Sequence, residues 1–75
     1  MDPLLDDLER RITARLHEAG PSTVGRLASD LSESFGMVLF ALEKLRGGIE
    51  KNVRVLPGGL WEVTEEYKMQ RSAKP

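Results

Sequence analysis

The apolar residues of this chain change their spacing once along the sequence, and the change divides it into a helical part and a strand part. Up to Leu45 they recur every three or four residues, as on one face of a helix, whereas on both sides of Pro57-Gly58-Gly59 they alternate with polar residues. A chain of 75 residues has room for one small core. We therefore expect a single α+β domain, with three helices followed by a small antiparallel β-hairpin.

The ends of the three predicted helices are marked by capping and helix-breaking residues. The first begins at Pro3 and is ended by the Gly-Pro pair at 20–21. The second follows Thr23, an N-cap residue, and the third starts near Ser34 and ends at the glycine pair 47–48. The apolar positions of the three helices are Leu5, Leu8, Ile12 and Leu16, then Val24, Leu27, Ala28 and Leu31, then Phe35, Val38, Leu39, Leu42 and Leu45.

The register of the hairpin follows from the alternation on both sides of its turn. A proline and two glycines suit a short loop with a bulge. The predicted pairs are Val53 with Val63, Arg54 with Glu62, and Val55 with Trp61. The valines and the tryptophan then form one apolar face, which we expect to point inward, while the charged pair points outward. Trp61 is expected to close the core against the helices.

The segment after the hairpin has few apolar residues. We expect the domain itself to span residues 1–63, and residues 64–75 to form a partly disordered C-terminal tail. This tail either extends as a short helix from Thr64 or frays, with disorder expected from about Ser72.

Composition argues against several classes of function. The chain has no cysteine and a single histidine, His17, so we expect no disulfide and no metal site. No hydroxyl has a basic partner in sequence, and the glycines form no phosphate-binding motif, so we expect neither an enzyme nor a cofactor. No apolar stretch is long enough for a membrane span, and the acidic N-terminus lacks a signal-peptide pattern, which favours the cytoplasm, or the nucleus in a eukaryote.

The segment from Leu27 to Val38 resembles the helix-turn-helix signature of the winged helix-turn-helix superfamily. Ala28 stands where that family has a small residue, Val38 stands at its buried β-branched position, and Ser32 replaces its usual turn glycine. The segment from Leu56 to Trp61 looks like a short wing, so the resemblance covers roughly residues 4–63. It implies three helices with a hairpin wing, and DNA binding in transcriptional control.

A second resemblance is to the winged helices that bind left-handed DNA. Those domains use an asparagine and a tyrosine of the third helix, and paired prolines before a tryptophan. In this sequence Gly36, Phe40 and the glycine pair 58–59 occupy the matching places. The groups that form the hydrogen bonds are absent, so that function is not carried over.

The third helix is the candidate contact element for double-stranded DNA. The residues expected to point outward from it are Ser34, Gly36, Met37, Phe40, Ala41 and Glu43. None of them is an Arg, Lys, Asn or Gln, the side chains that read base edges by paired hydrogen bonds. The candidate phosphate contacts are Arg26, Lys44, Arg46, Lys51 and Arg54, although the net charge of −1 gives no overall basic bias.

Two other interpretations remain open for these residues. An exposed apolar strip formed by Met37, Phe40 and Ala41 is typical of a protein contact, including a homodimer. Alternatively, Phe40 packs under the wing or onto the tail. The five basic residues could simply be solvated surface charge, which is also the simplest interpretation of the arginines of the first helix, Arg10, Arg11 and Arg15.

Overall fold

A computed structural model describes residues 3–48 and 51–72 of the chain. These residues form a mixed α+β domain. The elements are α1 (Pro3–Ala19), α2 (Val24–Leu31), α3 (Phe35–Gly47), β1 (Val53–Leu56), β2 (Leu60–Val63) and α4 (Glu65–Ser72). The two strands pair antiparallel. Three helices followed by a hairpin form a winged-helix-like layout, which confirms the predicted fold class.

The helices α2 and α3 both begin with a side-chain cap at the predicted residue. The Thr23 hydroxyl accepts a hydrogen bond from the Arg26 amide at 3.2 Å, and the Ser34 hydroxyl accepts one from the Met37 amide at 3.2 Å. Both capping residues have extended backbone conformations, as N-caps require. At the end of α1, Gly20 takes a φ of 87°, which turns the chain towards α2.

The turn between α2 and α3 has a residue other than glycine in the left-handed conformation. Ser32 lies in the left-handed region, with φ 55° and ψ 43°. The Glu33 amide donates to the Ala28 carbonyl at 2.9 Å, which closes the C-terminus of α2. A side chain of α1 also holds this turn: Arg11 donates to the Leu31 carbonyl at 2.8 Å and to the Glu33 carboxylate at 3.0 Å.

This contact corrects the interpretation of the α1 arginines as a solvated face. Arg11 bridges to the turn, and Arg15 lies 3.3 Å from the Asp30 carboxylate on α2. Only Arg10 fits the solvated description, because its ion pair is with Asp7 on its own helix. The sequence pattern could not show this, because the partners are 15 or more residues away along the chain.

The hairpin has the predicted register, with Val53 opposite Val63, Arg54 opposite Glu62 and Val55 opposite Trp61. Gly58 and Gly59 both have positive φ, at 88° and 79°, and make the turn. Trp61 also exchanges two backbone hydrogen bonds with Ser22, at 2.7 and 2.9 Å. These bonds tie the wing to the connection between α1 and α2.

The apolar face of the hairpin is covered unevenly, which corrects the inward placement of Val55. Val53 and Val63 are buried, but the Val55 side chain is 41% exposed. Its partner Trp61 is nevertheless buried, because a large ring reaches back over the core whereas a valine at the same level cannot.

The segment after the hairpin is helical, the first of the two alternatives expected for it. The Thr64 hydroxyl caps α4 by accepting from the Tyr67 amide at 3.3 Å, and it donates to the Lys51 carbonyl at 2.8 Å. Tyr67 belongs to the buried core, and its ring meets the His17 ring edge-on at 5.9 Å. The expected disorder beyond Ser72 falls on residues that lie outside the described ones.

Candidate functional site: the outer face of α3

The outer face of α3 carries most of the residues expected to form the contact site. Ser34, Gly36, Met37, Phe40 and Glu43 are all exposed. The face exists because Val38, Leu42 and their neighbours turn the opposite side of the helix into the core, leaving the remainder of the circumference to solvent.

Ala41 is the exception, and its predicted outward placement is wrong. Its side chain is 0% exposed, as are those of Val38 and Leu42. Ala41 lies three residues after Val38 and next to Leu42, so it shares their face of the helix. Its small side chain allows α3 to lie close to the rest of the core. A strip that includes Ala41 as a contact residue is therefore excluded.

Large apolar side chains remain exposed around the rest of the helix. Phe35 is 57% exposed and Phe40 is 55% exposed, while Met37 and Leu39 are exposed to a smaller degree. Phe35 lies at the first position of α3. Phe40 is not covered by the hairpin or by α4, since more than half of its side chain is exposed.

Two flanks of this surface can be distinguished by the helical angle of about 100° per residue. Phe35, Leu39 and Arg46 share one flank, and the Arg46 guanidinium lies 5.9 Å from the Trp61 ring centre, so this flank faces the wing. Met37 and Lys44 share the opposite flank. Phe40 lies between the two, at the outermost part of the helix.

Lys44 identifies the second flank as the one beside α1. Burial raises the pKa of the Glu9 carboxyl on α1, the positive charge of Lys44 lowers that pKa, and the negative charge of Asp6 raises it. The net direction is upward. Lys44 is therefore close enough to Glu9 to act on it, and α1 borders the Met37 side of α3.

The arginines expected to contact phosphate each have an acidic neighbour. Arg26 lies 3.5 Å from Asp30, Arg46 lies 3.1 Å from Glu43, and Arg54 is paired across the hairpin with Glu62. These pairs lower the positive potential that an approaching phosphate would meet. Within the part of the chain that the structure describes, Lys44 and Lys51 are the candidate cations that form no ion pair.

Arg26 does not lie on the α3 face at all. It lines a polar cleft of about 120 Å³ between the C-terminal end of α1 and α2, together with Arg15, Ser22 and Asp30. The Asp30 carboxylate lies between the two arginines and offsets part of their charge. An internal ion-pair network thus lines the cleft. Arg26 lies in this cleft, apart from the other residues expected to form the contact site.

One contributor to the surface was not predicted. Glu33 lies in the turn before α3, two residues ahead of the first helical residue, Phe35. The Arg11 guanidinium holds its half-buried carboxylate at 3.0 Å, a contact across 22 positions that could not be read from the sequence.

Among residues 3–48 and 51–72, no cluster of three or more acidic, histidine or cysteine side chains could hold a metal. None of the described helices is long and apolar enough to cross a bilayer.

The fold and the surface define a small α+β domain of winged-helix-like layout with an exposed apolar face on its third helix. No family of known proteins, no curated protein and no solved structure matches this chain at a significant level.

Proposed function

We propose that this domain is an interaction module that binds another protein through the outer face of α3. The observation that carries the proposal is the exposure of Met37 and Phe40 side by side on that face. Exposed apolar side chains grouped on one element are typical of a protein contact. The exposed residues in the middle of the face, Gly36, Met37 and Phe40, include no side chain able to read a base edge by paired hydrogen bonds.

The energetics support this assignment. Fully burying a phenylalanine or a methionine is worth about 1.5–3 kcal/mol each, so covering two half-exposed side chains supplies a modest but useful driving force. Phenylalanine and methionine are also enriched in the centres of protein interfaces. Glu33, Glu43, Lys44 and Arg46 surround the apolar residues and can form the polar rim of such an interface.

The test is a photoreactive phenylalanine analogue placed at position 40 and activated in the cells that produce the protein. The expected result is a covalent adduct with a protein. The matched control places the same analogue at Glu18, an exposed position of α1, and should not give that adduct. An adduct with nucleic acid at position 40, or the same adducts from both positions, would contradict the proposal.

Duplex DNA is the second candidate partner, favoured by the succession of helix, turn and helix and by Lys44 and Lys51, which form no ion pair with any residue that the structure describes. If DNA binds, the affinity should fall steeply with salt, because each phosphate contact releases a counterion. Lys44→Ala and Lys51→Ala should each weaken binding on every sequence and flatten the salt slope by about one unit. Fluorescence anisotropy with a mixed-sequence duplex measures both effects.

A further inference from the structure

We propose that the cleft between the C-terminal end of α1 and α2 is a binding site for a small ligand that carries a phosphate group. The cleft has a volume of about 120 Å³ and is lined by Arg15, Ser22, Arg26 and Asp30, together with residues 19–21. It lies apart from the outer face of α3, so this inference is independent of the proposed protein contact. It is carried by the hydrogen-bond donors of the two arginines that meet in the cleft.

Arg15 and Arg26 differ in their hydrogen bonding from other arginines of the described chain. Side-chain hydrogen bonds to a carboxylate are donated by Arg10, Arg11, Arg46 and Arg54. Arg15 and Arg26 instead contact the Oδ2 atom of Asp30 at 3.3 and 3.5 Å, as ion pairs without hydrogen-bond geometry. Among the residues that the structure describes, no acceptor therefore uses the donors of these two guanidinium groups.

Arg15 carries a donor that solvent does not reach. Its Nε atom is buried and has no hydrogen-bond partner among the described residues, although the side chain as a whole is 39% exposed. A buried donor of a charged group costs free energy until an acceptor reaches it. An oxyanion bound between the two arginines supplies acceptors to both, because a planar guanidinium donates in parallel to two oxygens of a phosphate group.

The charge and the size of the cleft match a phosphate group. Two guanidinium groups face one carboxylate, so one positive charge is left over. Both contact the same oxygen of Asp30, which holds them side by side and leaves their other donors for a ligand. The Ser22 hydroxyl, which bonds to no described residue, adds a neutral donor. The volume of about 120 Å³ is that of roughly four water molecules, and phosphate has four oxygen atoms.

The test is a titration of isotope-labelled protein with inorganic phosphate, with chloride at equal ionic strength as the reference. The amide signals of Ser22, Arg26 and Asp30 should shift and saturate with a Kd of about 1 mM, an ordinary value for so small a ligand. The amide signals of the outer face of α3 should not follow the same curve. Shifts that rise without saturation, or that chloride reproduces, overturn the proposal.

Arg26→Gln tests whether the cleft is the site of binding. The Arg26 side chain is 71% exposed, so the fold should remain intact, and phosphate should bind at least about tenfold more weakly. Arg10→Gln is the matched control, because it removes the same charge from the exposed surface of α1 and should change the Kd by less than about twofold. Equal weakening by the two variants means that phosphate responds only to net charge, which overturns the proposal.

Two other ligands test the chemistry that the cleft recognises. Acetate has two oxygens instead of four, so it should bind more weakly than phosphate in the same titration. Equal affinities would overturn the assignment to a phosphate group. A DNA duplex of mixed sequence should leave the phosphate-dependent shifts in place, because the cleft lies apart from the α3 face on which a duplex is expected. Displacement of phosphate by the duplex overturns the assignment to a small ligand.

Discussion

The guanidinium of Arg11 lies 3.0 Å from the carboxylate of Glu33 and joins α1 to the start of the α3 region. Its second nitrogen donates to the Leu31 carbonyl at the C-terminus of α2, so a single side chain of α1 holds both the end of α2 and the turn before α3. The turn that sets the angle between α2 and α3 is thus held from outside by a charge-assisted bond. The position of the α3 surface depends on this contact.

Arg11→Ala should destabilise the domain by about 1–2 kcal/mol, because it leaves a helix-end carbonyl without its donor and Glu33 without its cation. Arg10→Ala is the matched control, since among the described residues Arg10 forms an ion pair only with Asp7, on the same exposed surface. It should cost no more than about 0.5 kcal/mol. Urea unfolding of the three proteins measures the difference, and equal losses would show that the Arg11 contact contributes nothing specific.

Ser32→Gly should stabilise the domain by about 0.5–1 kcal/mol. Ser32 has a φ of 55°, a conformation that costs energy for a residue with a Cβ atom and little for glycine. Ser29→Gly is the control, because Ser29 lies within α2, where glycine should instead destabilise by about 0.5 kcal/mol. Thermal and urea unfolding should show opposite signs for the two substitutions, and a loss at position 32 would contradict the left-handed turn.

Phe40→Glu and Ala41→Glu should differ sharply although the positions are adjacent. Phe40 is exposed on the outer face of α3, so its replacement should change stability by less than about 1 kcal/mol. Ala41 is buried in the core, where an unpaired carboxylate should cost about 3 kcal/mol or more and unfold much of the protein. Circular dichroism during urea titration distinguishes the two, and an unfolded Phe40→Glu protein would place Phe40 in the core.

Glu9→Gln should stabilise the domain at neutral pH and lose that advantage in acid. Burial raises the pKa of Glu9 above its ordinary value of 4.5, so the folded state holds the proton more tightly than the unfolded state does. The wild type therefore gains stability relative to the variant as the pH falls through the folded pKa, and the gain is complete below 4.5. Unfolding curves at pH 7 and pH 3 test the sign.

The hairpin shows what the sequence by itself determined. Alternation on both sides of the turn is a local property with a period of two, and a shift of one residue would have exchanged the apolar and the charged faces. The register from Val53–Val63 to Val55–Trp61 was predictable for that reason. The same applies to Thr23 and Ser34, because a capping hydroxyl acts on amides only three residues away.

What only the tertiary structure decided is how far the core extends over each element. Apolar side chains surround nearly the whole of α3, so its spacing left the phase open, and contacts with α1, α2 and the wing selected the face of Val38, Ala41 and Leu42. The same limit explains Val55, which has the right alternation but stays 41% exposed. Arg11 and Glu33 are separated by 22 positions, a distance that no local pattern spans. The periodicity of apolar residues predicts which residues share a face, whereas their burial depends on what packs against that face.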